Sequence, residues 1–448
     1  MKRAVATFFS ILIATSMTVV SACSAGDDDP RPDQSSEESQ LPGDYSGSGA
    51  GTLVDATTLA TIDLRLKAVT SVAAKVTYTS TSGVTNELTT VTGTVFAPQG
   101  TPPDGGWPII AYGHPTTGVN ANCAPSSSPT LLNLSPAVTG LVKAGYVVTM
   151  SDYQGLGNDS TYHPYLNPRT EGYNLIDAVR SARKIVPGTS DRWVAMGVSQ
   201  GGQAAWAANE LASEYAAGLQ LLGSASVSAP LDISGFADGA AAGTLTKQQQ
   251  PAYQALLAAL KNADPTFDLD QYRRGVLAEH WDELLQCDFA SASKRAELVE
   301  LISPDDLRPA SVEATDALRN RLIELSLPQG RTSAPALVIY GGQDPFIPPA
   351  WTDLALQRAC ELEDVVQIDL QPDRGHADLG IGSAFGWVSD RFRGDPAPNS
   401  CESFLALFAP PVPDDEVVPD DEEVPYDEEV PYDEAAPVDE ESTAPEGG

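Results

Sequence analysis

The chain has 448 residues, long enough for one large or two ordinary domains, and 61 Asp and Glu against 26 Lys and Arg give it a formal charge of −35 at pH 7. Acids concentrate at the two ends, yet the middle is acidic too, so the basic footprint that nucleic acid requires is missing. Beyond the first twenty residues no apolar run approaches the roughly 20 residues of a membrane-spanning helix.

In chain order, Met1 to Arg3 is basic, Ala4 to Val20 is apolar and uncharged, and Ser21 and Ala22 are small, the layout of a secretory signal over residues 1–22. Val20-Ser21-Ala22-Cys23 resembles the lipobox of bacterial lipoproteins, which makes Cys23 a candidate lipidation site and the chain an exported, membrane-anchored protein. An ordinary cleaved signal with Cys23 present by chance is the alternative. Residues 23–51, rich in Asp, Glu, Ser, Pro and Gly, cannot bury enough apolar surface to offset their ordering entropy and read as a disordered linker.

Residues 52–409 alternate short apolar or β-branched runs with helical patterns. Ala73 to Thr79 and Thr90 to Phe96 read as an antiparallel opening pair. Pro108 to Tyr112, Tyr146 to Ser151, Trp193 to Met196, Ser224 to Ser228, Ala336 to Tyr340 and Val365 to Leu370 read as buried strands. Helical patterns at Val138 to Ala144, Gly172 to Ile185, Gln200 to Glu214 and Trp351 to Glu361 fall between them, as βαβ crossovers in a mostly parallel, eight-stranded sheet require. The connection from Ser228 to Ala336 is about 105 residues, far longer than a crossover. Its helical stretches, Gln248 to Asn262, Leu269 to Gln286, Ser293 to Ile302 and Glu313 to Leu327, read as an inserted cap over about residues 232–332. From Pro410 the chain becomes an acidic tail with Pro413, Pro419, Pro425, Pro431 and Pro437 six residues apart, a composition suited to an extended, partly polyproline II segment.

Gly197-Val198-Ser199-Gln200-Gly201 lies between a strand and a helix, the setting of a G-x-S-x-G nucleophile elbow, and makes Ser199 the candidate nucleophile of an α/β-hydrolase fold. A serine hydroxyl needs a base, and in this fold the order is Ser, acid, His. Of His114, His163, His280 and His376, only the last two follow Ser199. His280 falls inside a cap helix, whereas His376 follows the Val365 to Leu370 strand and is the expected base. Asp344, on the turn Gly341-Gly342-Gln343-Asp344-Pro345 after the preceding strand, is the expected orienting acid. The oxyanion donors are expected at the Gln200 N–H and in the loop Gly113-His114-Pro115-Thr116-Thr117-Gly118. Pro115 has no N–H, so Thr116 or Thr117 must donate, with Thr117 preferred.

With Cys23 set apart, Cys123, Cys287, Cys360 and Cys401 allow three pairings in an oxidising compartment, and their spacing matches no zinc signature, so no metal site is expected. Seven apolar cap residues, Leu256, Leu257, Leu260, Phe267, Leu269, Leu284 and Leu285, are expected to be mostly core, the remainder lining an acyl pocket.

Over about residues 70–408 the sequence resembles the secretory lipase family. The resemblance rests on Gly197-Val198-Ser199-Gln200-Gly201-Gly202, Ser151-Asp152-Tyr153-Gln154-Gly155-Leu156-Gly157, His163-Pro164-Tyr165-Leu166, and Gly341-Gly342-Gln343-Asp344 followed by Gly375-His376. It implies Ser199, Asp344 and His376 as a triad, a cap over the acyl site, disulfides Cys123–Cys287 and Cys360–Cys401, and no metal or organic cofactor. Pro115 stands where many relatives carry Gly, and the acidic tail is not part of the family pattern. The expected activity is carboxylic-ester hydrolysis on acylglycerols or other lipid esters, with a small ester substrate and no obligate protein partner. A short-chain esterase, an amidase or peptidase on the same triad, and a non-catalytic binding protein are the competing readings.

Overall fold

The computed structural model describes residues 38–409. The signal, Cys23, most of the linker and the proline-repeat tail lie outside the described residues. A separate unit begins at Ser403, and its described residues are 403–409.

The scaffold is one nine-stranded sheet. Its strands are β1 (Leu53–Thr58), β2 (Thr70–Thr81), β3 (Leu88–Pro98), β4 (Trp107–Gly113), β5 (Val147–Ser151), β6 (Thr189–Val198), β7 (Gln220–Val227), β8 (Ala336–Gly341) and β9 (Val366–Gln371). Their order across the sheet is β1-β2-β3-β5-β4-β6-β7-β8-β9. The pairs from β1 through β3 to β5 are antiparallel, and all pairs from β5 onward are parallel. The central strands are covered on both faces, which explains why they read as unbroken apolar runs. Along β6, Trp193 and Ala195 face the core under the helices Pro168–Ile185 and Gln200–Tyr215, while Val194 and Met196 face the helices Ser135–Lys143 and Gly382–Arg393.

The observed sheet thus has one strand more than the eight expected. The missed strand, β1, is the edge strand: Leu53 and Ala56 are buried, but Val54 is exposed and the neighbouring Gly-Ser stretch hides the alternation. Residues 38–51, placed by composition in a disordered linker, instead lie along the domain. Leu41 N–H donates to Ala56 O at 2.8 Å and Asp44 N–H to Lys184 O at 2.9 Å, while Leu41 and Tyr45 pack against the core. Two apolar side chains and the open edge of β1 suffice to order a segment whose average composition is polar.

The insertion between β7 and β8 is helical, as its length demanded. Gln249–Ala263, Ala292–Leu301 and Val312–Glu324 match three expected helices, and Gly235–Ala242 adds one that its Gly/Ala-rich sequence concealed. The expected helix from Leu269 to Gln286 is broken into a turn at Leu269–Gln271 and short helices at Gly275–Glu279 and Trp281–Leu284. The first break ends at Gly275, where φ is +50° and a Cβ would lie 2.3 Å from Asp306 Oδ1, and the second falls at His280, with φ −115° and ψ 27°. Phe236, Leu256, Leu257, Leu277, Leu318 and Leu322 give the insertion a core, which also takes in Tyr165 and Leu166 from the main domain.

Two disulfides tie these parts together. Cys123–Cys287 joins the loop after β4 to the cap, with Cα atoms 5.7 Å apart. Cys360–Cys401 joins the helix Pro349–Glu361 to residue 401, with Cα atoms 5.2 Å apart. Both pairings are those that the family resemblance implied.

Candidate active site

Ser199 sits between β6 and the helix Gln200–Tyr215 with φ 53° and ψ −122°, a backbone conformation that costs energy for any residue with a Cβ. Close packing imposes it. A Cβ on Gly197 would lie 2.1 Å from Gly201 O, so the chain can turn this tightly only with glycine there. The turn is pinned to β7 by the Ser199 N–H, which donates to Val227 O at 2.8 Å. The serine is thereby held at the C-terminal edge of the sheet, at the N-terminus of a 16-residue helix whose dipole favours negative charge.

The loops after β8 and β9 bring Asp344 and His376 to the same edge. Ser199 Oγ lies 3.0 Å from His376 Nε2, and His376 Nδ1 lies 2.7 Å from Asp344 Oδ2. The other carboxylate oxygen, Asp344 Oδ1, accepts from the backbone N–H groups of Phe346 at 2.8 Å and Ile347 at 2.9 Å. Those two donors fix the carboxylate and aim Oδ2 at the imidazole. The histidine is set from two further sides: Ser228 Oγ donates to His376 O at 2.8 Å, and the Phe346 ring stands edge-on with centroids 4.8 Å apart. Gln343 N–H, donating to Arg374 O at 2.8 Å, ties the acid loop to the histidine loop. Ser228 and Phe346 carry no recognisable sequence signal and were not expected in the site.

The remaining histidines are elsewhere. His280 pairs with Glu283 across the cap surface at 2.8 Å. His114 is fully buried, with ring nitrogens 2.7 Å from Pro115 O and 3.2 Å from Asp152 O, and burial pushes its pKa down. The ring braces the loop after β4 against Tyr153, 4.4 Å away between centroids. Asp152, in one of the motifs on which the resemblance rests, accepts from Thr92 Oγ1 at 2.7 Å and from Ser126 N–H at 2.9 Å, so its work is to fold that same wall.

A cavity of about 650 Å³ opens in front of Ser199 and His376, in the range of small-ligand sites. The cap supplies Pro251, Ala252, Ala255, Leu284 and Leu285, the loop after β4 supplies Thr116, Thr117 and Val119, and Gln248, Gln286 and Arg295 add polar groups. Of the seven apolar cap residues singled out by sequence, Leu284 and Leu285 line this cavity, Leu256, Leu257, Leu260 and Phe267 are buried in the cap core, which Leu284 also joins, and Leu269 packs half-buried against that core. The two threonines differ. Thr116 Oγ1 is engaged by the Tyr165 hydroxyl at 2.8 Å, whereas the buried Thr117 Oγ1 finds no partner among the described residues.

No curated protein sequence matches the chain. Among solved structures, lipase A of Candida antarctica in its closed state aligns over 80% of this chain and 86% of its own, with a TM-score of 0.62 at 16% identity. A mutant of the rice cell wall degrading esterase LipA from Xanthomonas oryzae aligns over 76% of this chain and 95% of its own, with a TM-score of 0.60 at 24% identity. At these identities the two structures speak for the α/β-hydrolase fold. The sequence model of the secretory lipases matches residues 134–400, which span β5 to β9, the elbow and the cap. The chain belongs to the secretory lipase family and is a carboxylic-ester hydrolase.

Proposed function

We propose that the protein is an exported hydrolase of lipid esters, with Ser199, His376 and Asp344 acting as a nucleophile, base and acid that pass acyl groups through the serine. The observation that carries this reading is the hydrogen-bonded chain from Ser199 Oγ through His376 to Asp344, with spacings of 3.0 and 2.7 Å, at the floor of a cavity walled by apolar cap residues. Ser199 Oγ attacks the ester carbonyl carbon while its proton passes to His376 Nε2, and the carbonyl oxygen becomes an oxyanion. The Gln200 N–H, next in the chain at the helix N-terminus, is assigned as one donor to that oxyanion, and Thr117 as the other. Collapse expels the alcohol, which takes the proton from His376. Water then repeats the sequence on the acyl-enzyme, with Asp344 stabilising imidazolium in both halves. The disulfides fit folding in an oxidising compartment, and a Cys23 anchor would hold the enzyme at the cell surface.

The test is a series of nitrophenyl esters from acetate to palmitate, with matched anilides, on wild type and Ser199→Ala. Hydrolysis of medium and long esters that disappears in the variant is expected. Acetate preference with no turnover of long chains would leave a short-chain esterase in place of the lipase reading.

A further inference from the structure

Beside the serine turn, three buried polar side chains from distant parts of the sequence meet. The Gln200 amide nitrogen lies 2.7 Å from Glu171 Oε1 and 2.9 Å from His163 Nε2. His163 Nδ1 lies 2.9 Å from the carbonyl of Gln154, which can only accept, so Nδ1 carries the hydrogen and Nε2 must accept from Gln200. Both amide hydrogens of Gln200 are therefore committed, and its side chain has a single orientation. Glu171 Oε1 accepts a second bond from Leu166 N–H at 3.0 Å, but among the described residues the buried Oε2 finds no partner and no cation pairs with the group. An ionised carboxylate in that position would be very costly. Burial accordingly pushes Glu171 up to about 8 and His163 down to about 3.

We propose that Glu171 is a positioning residue for the oxyanion site: as a neutral acid, and together with His163, it clamps the Gln200 side chain and so fixes the backbone N–H that follows the nucleophile. This rests on the serine mechanism proposed above. Neutrality matters twice. It makes the clamp affordable inside the domain, and it keeps a negative charge from lying beside the place where the oxyanion forms. Loss of the Glu171 proton therefore lowers kcat on the alkaline side. The other titratable groups facing the cluster are His163, His114, Tyr153, Tyr165 and Asp152. His163 and His114 are held neutral by burial, Tyr153 and Tyr165 are pushed above the ordinary tyrosine range, and Asp152 turns its carboxylate to Thr92 and Ser126.

The experiment measures kcat and KM for nitrophenyl butyrate from pH 6 to 9.5 in the full chain and in Glu171→Leu, Gln200→Met, Glu171→Gln and Ser199→Ala. Glu171→Leu and Gln200→Met are expected to lose roughly 10- to 100-fold in kcat with KM little changed, as loss of part of an oxyanion site does. The isosteric Glu171→Gln restores kcat near pH 7 and removes the wild-type decline centred near pH 8. Wild-type kcat in Glu171→Leu, or an unchanged alkaline decline in Glu171→Gln, overturns the proposal, and the second criterion holds even where Glu171→Leu fails to fold. Persistent turnover in Ser199→Ala strikes instead at the serine mechanism, so the two failures are separable.

Discussion

Replacing Asp344 by Asn tests the geometry at its most specific point, because the change conserves shape and alters one proton. In the native arrangement Asp344 Oδ1 accepts from two backbone N–H groups at 2.8 and 2.9 Å, and Oδ2 faces His376 Nδ1 at 2.7 Å. In the variant the amide oxygen must stay on the two N–H donors, since turning the NH₂ toward them would leave buried donors facing one another. The NH₂ is then directed at His376 Nδ1, which can answer only as an acceptor. The imidazole proton moves to Nε2, 3.0 Å from Ser199 Oγ, where the ring can no longer take the serine proton. The same tautomer error in a serine protease costs about 10⁴-fold in kcat, or about 5.5 kcal/mol of barrier. Asp344→Asn is therefore expected to fold like the wild type, to bind ester with little change in KM, and to lose about four orders of magnitude in turnover. Stopped-flow acylation with a nitrophenyl ester at pH 7 to 8 is the assay. Turnover within tenfold of wild type would refute the assignment of Asp344 as the orienting acid.

Three further outcomes follow from the structure. Glu171→Gln should change stability with pH: the native acid holds its proton up to about pH 8 while the unfolded acid releases it near 4.5, so wild-type stability falls across that window. The gap in thermal midpoint between variant and wild type should widen in favour of the variant from about pH 4.5 to about pH 8, and a constant gap would contradict a buried neutral acid. Replacing Leu284 and Leu285 by Ser should flatten the acyl-length preference several-fold per carbon while sparing acetate, because each buried methylene contributes about 0.8 kcal/mol; an unchanged preference would move the acyl site elsewhere. Removing the Cys123–Cys287 bond, which closes a loop of 164 residues between cap and core, should lower the thermal midpoint measurably under non-reducing conditions, and no loss would show that the cap docks without it.

What could be read from the sequence was what a short stretch encodes by itself. Buried parallel strands are continuous apolar runs, so β4 to β9 were legible, and with them the strand ends that carry Ser199, Asp344 and His376. The elbow was legible because its glycines are required within five residues of one another. Edge strand β1 was not, since half its surface faces solvent and its neighbours are polar. The cap was legible as an insertion but not in detail, because at Gly275 the chain turns with no room for a Cβ against Asp306, which lies 31 residues away. The cluster of His163, Glu171 and Gln200 was hidden for the same reason. Each residue is unremarkable where it stands, and only the packing of the helix Pro168–Ile185 against the serine turn brings them together. His163 and its Pro-Tyr-Leu neighbours were noticed as a motif, and a glutamate in the first turn of the next helix was the one signal that could have paired with it.

The central claim is that Ser199 is a nucleophile activated by His376. Labelling with a fluorophosphonate probe, followed by peptide mapping, tests it without any choice of substrate. A single modified peptide carrying the label on Ser199 is expected, formed rapidly in wild type, absent in Ser199→Ala, and slowed by orders of magnitude in a folded His376→Ala variant. Labelling of another residue, or an equal labelling rate in folded His376→Ala, would contradict it.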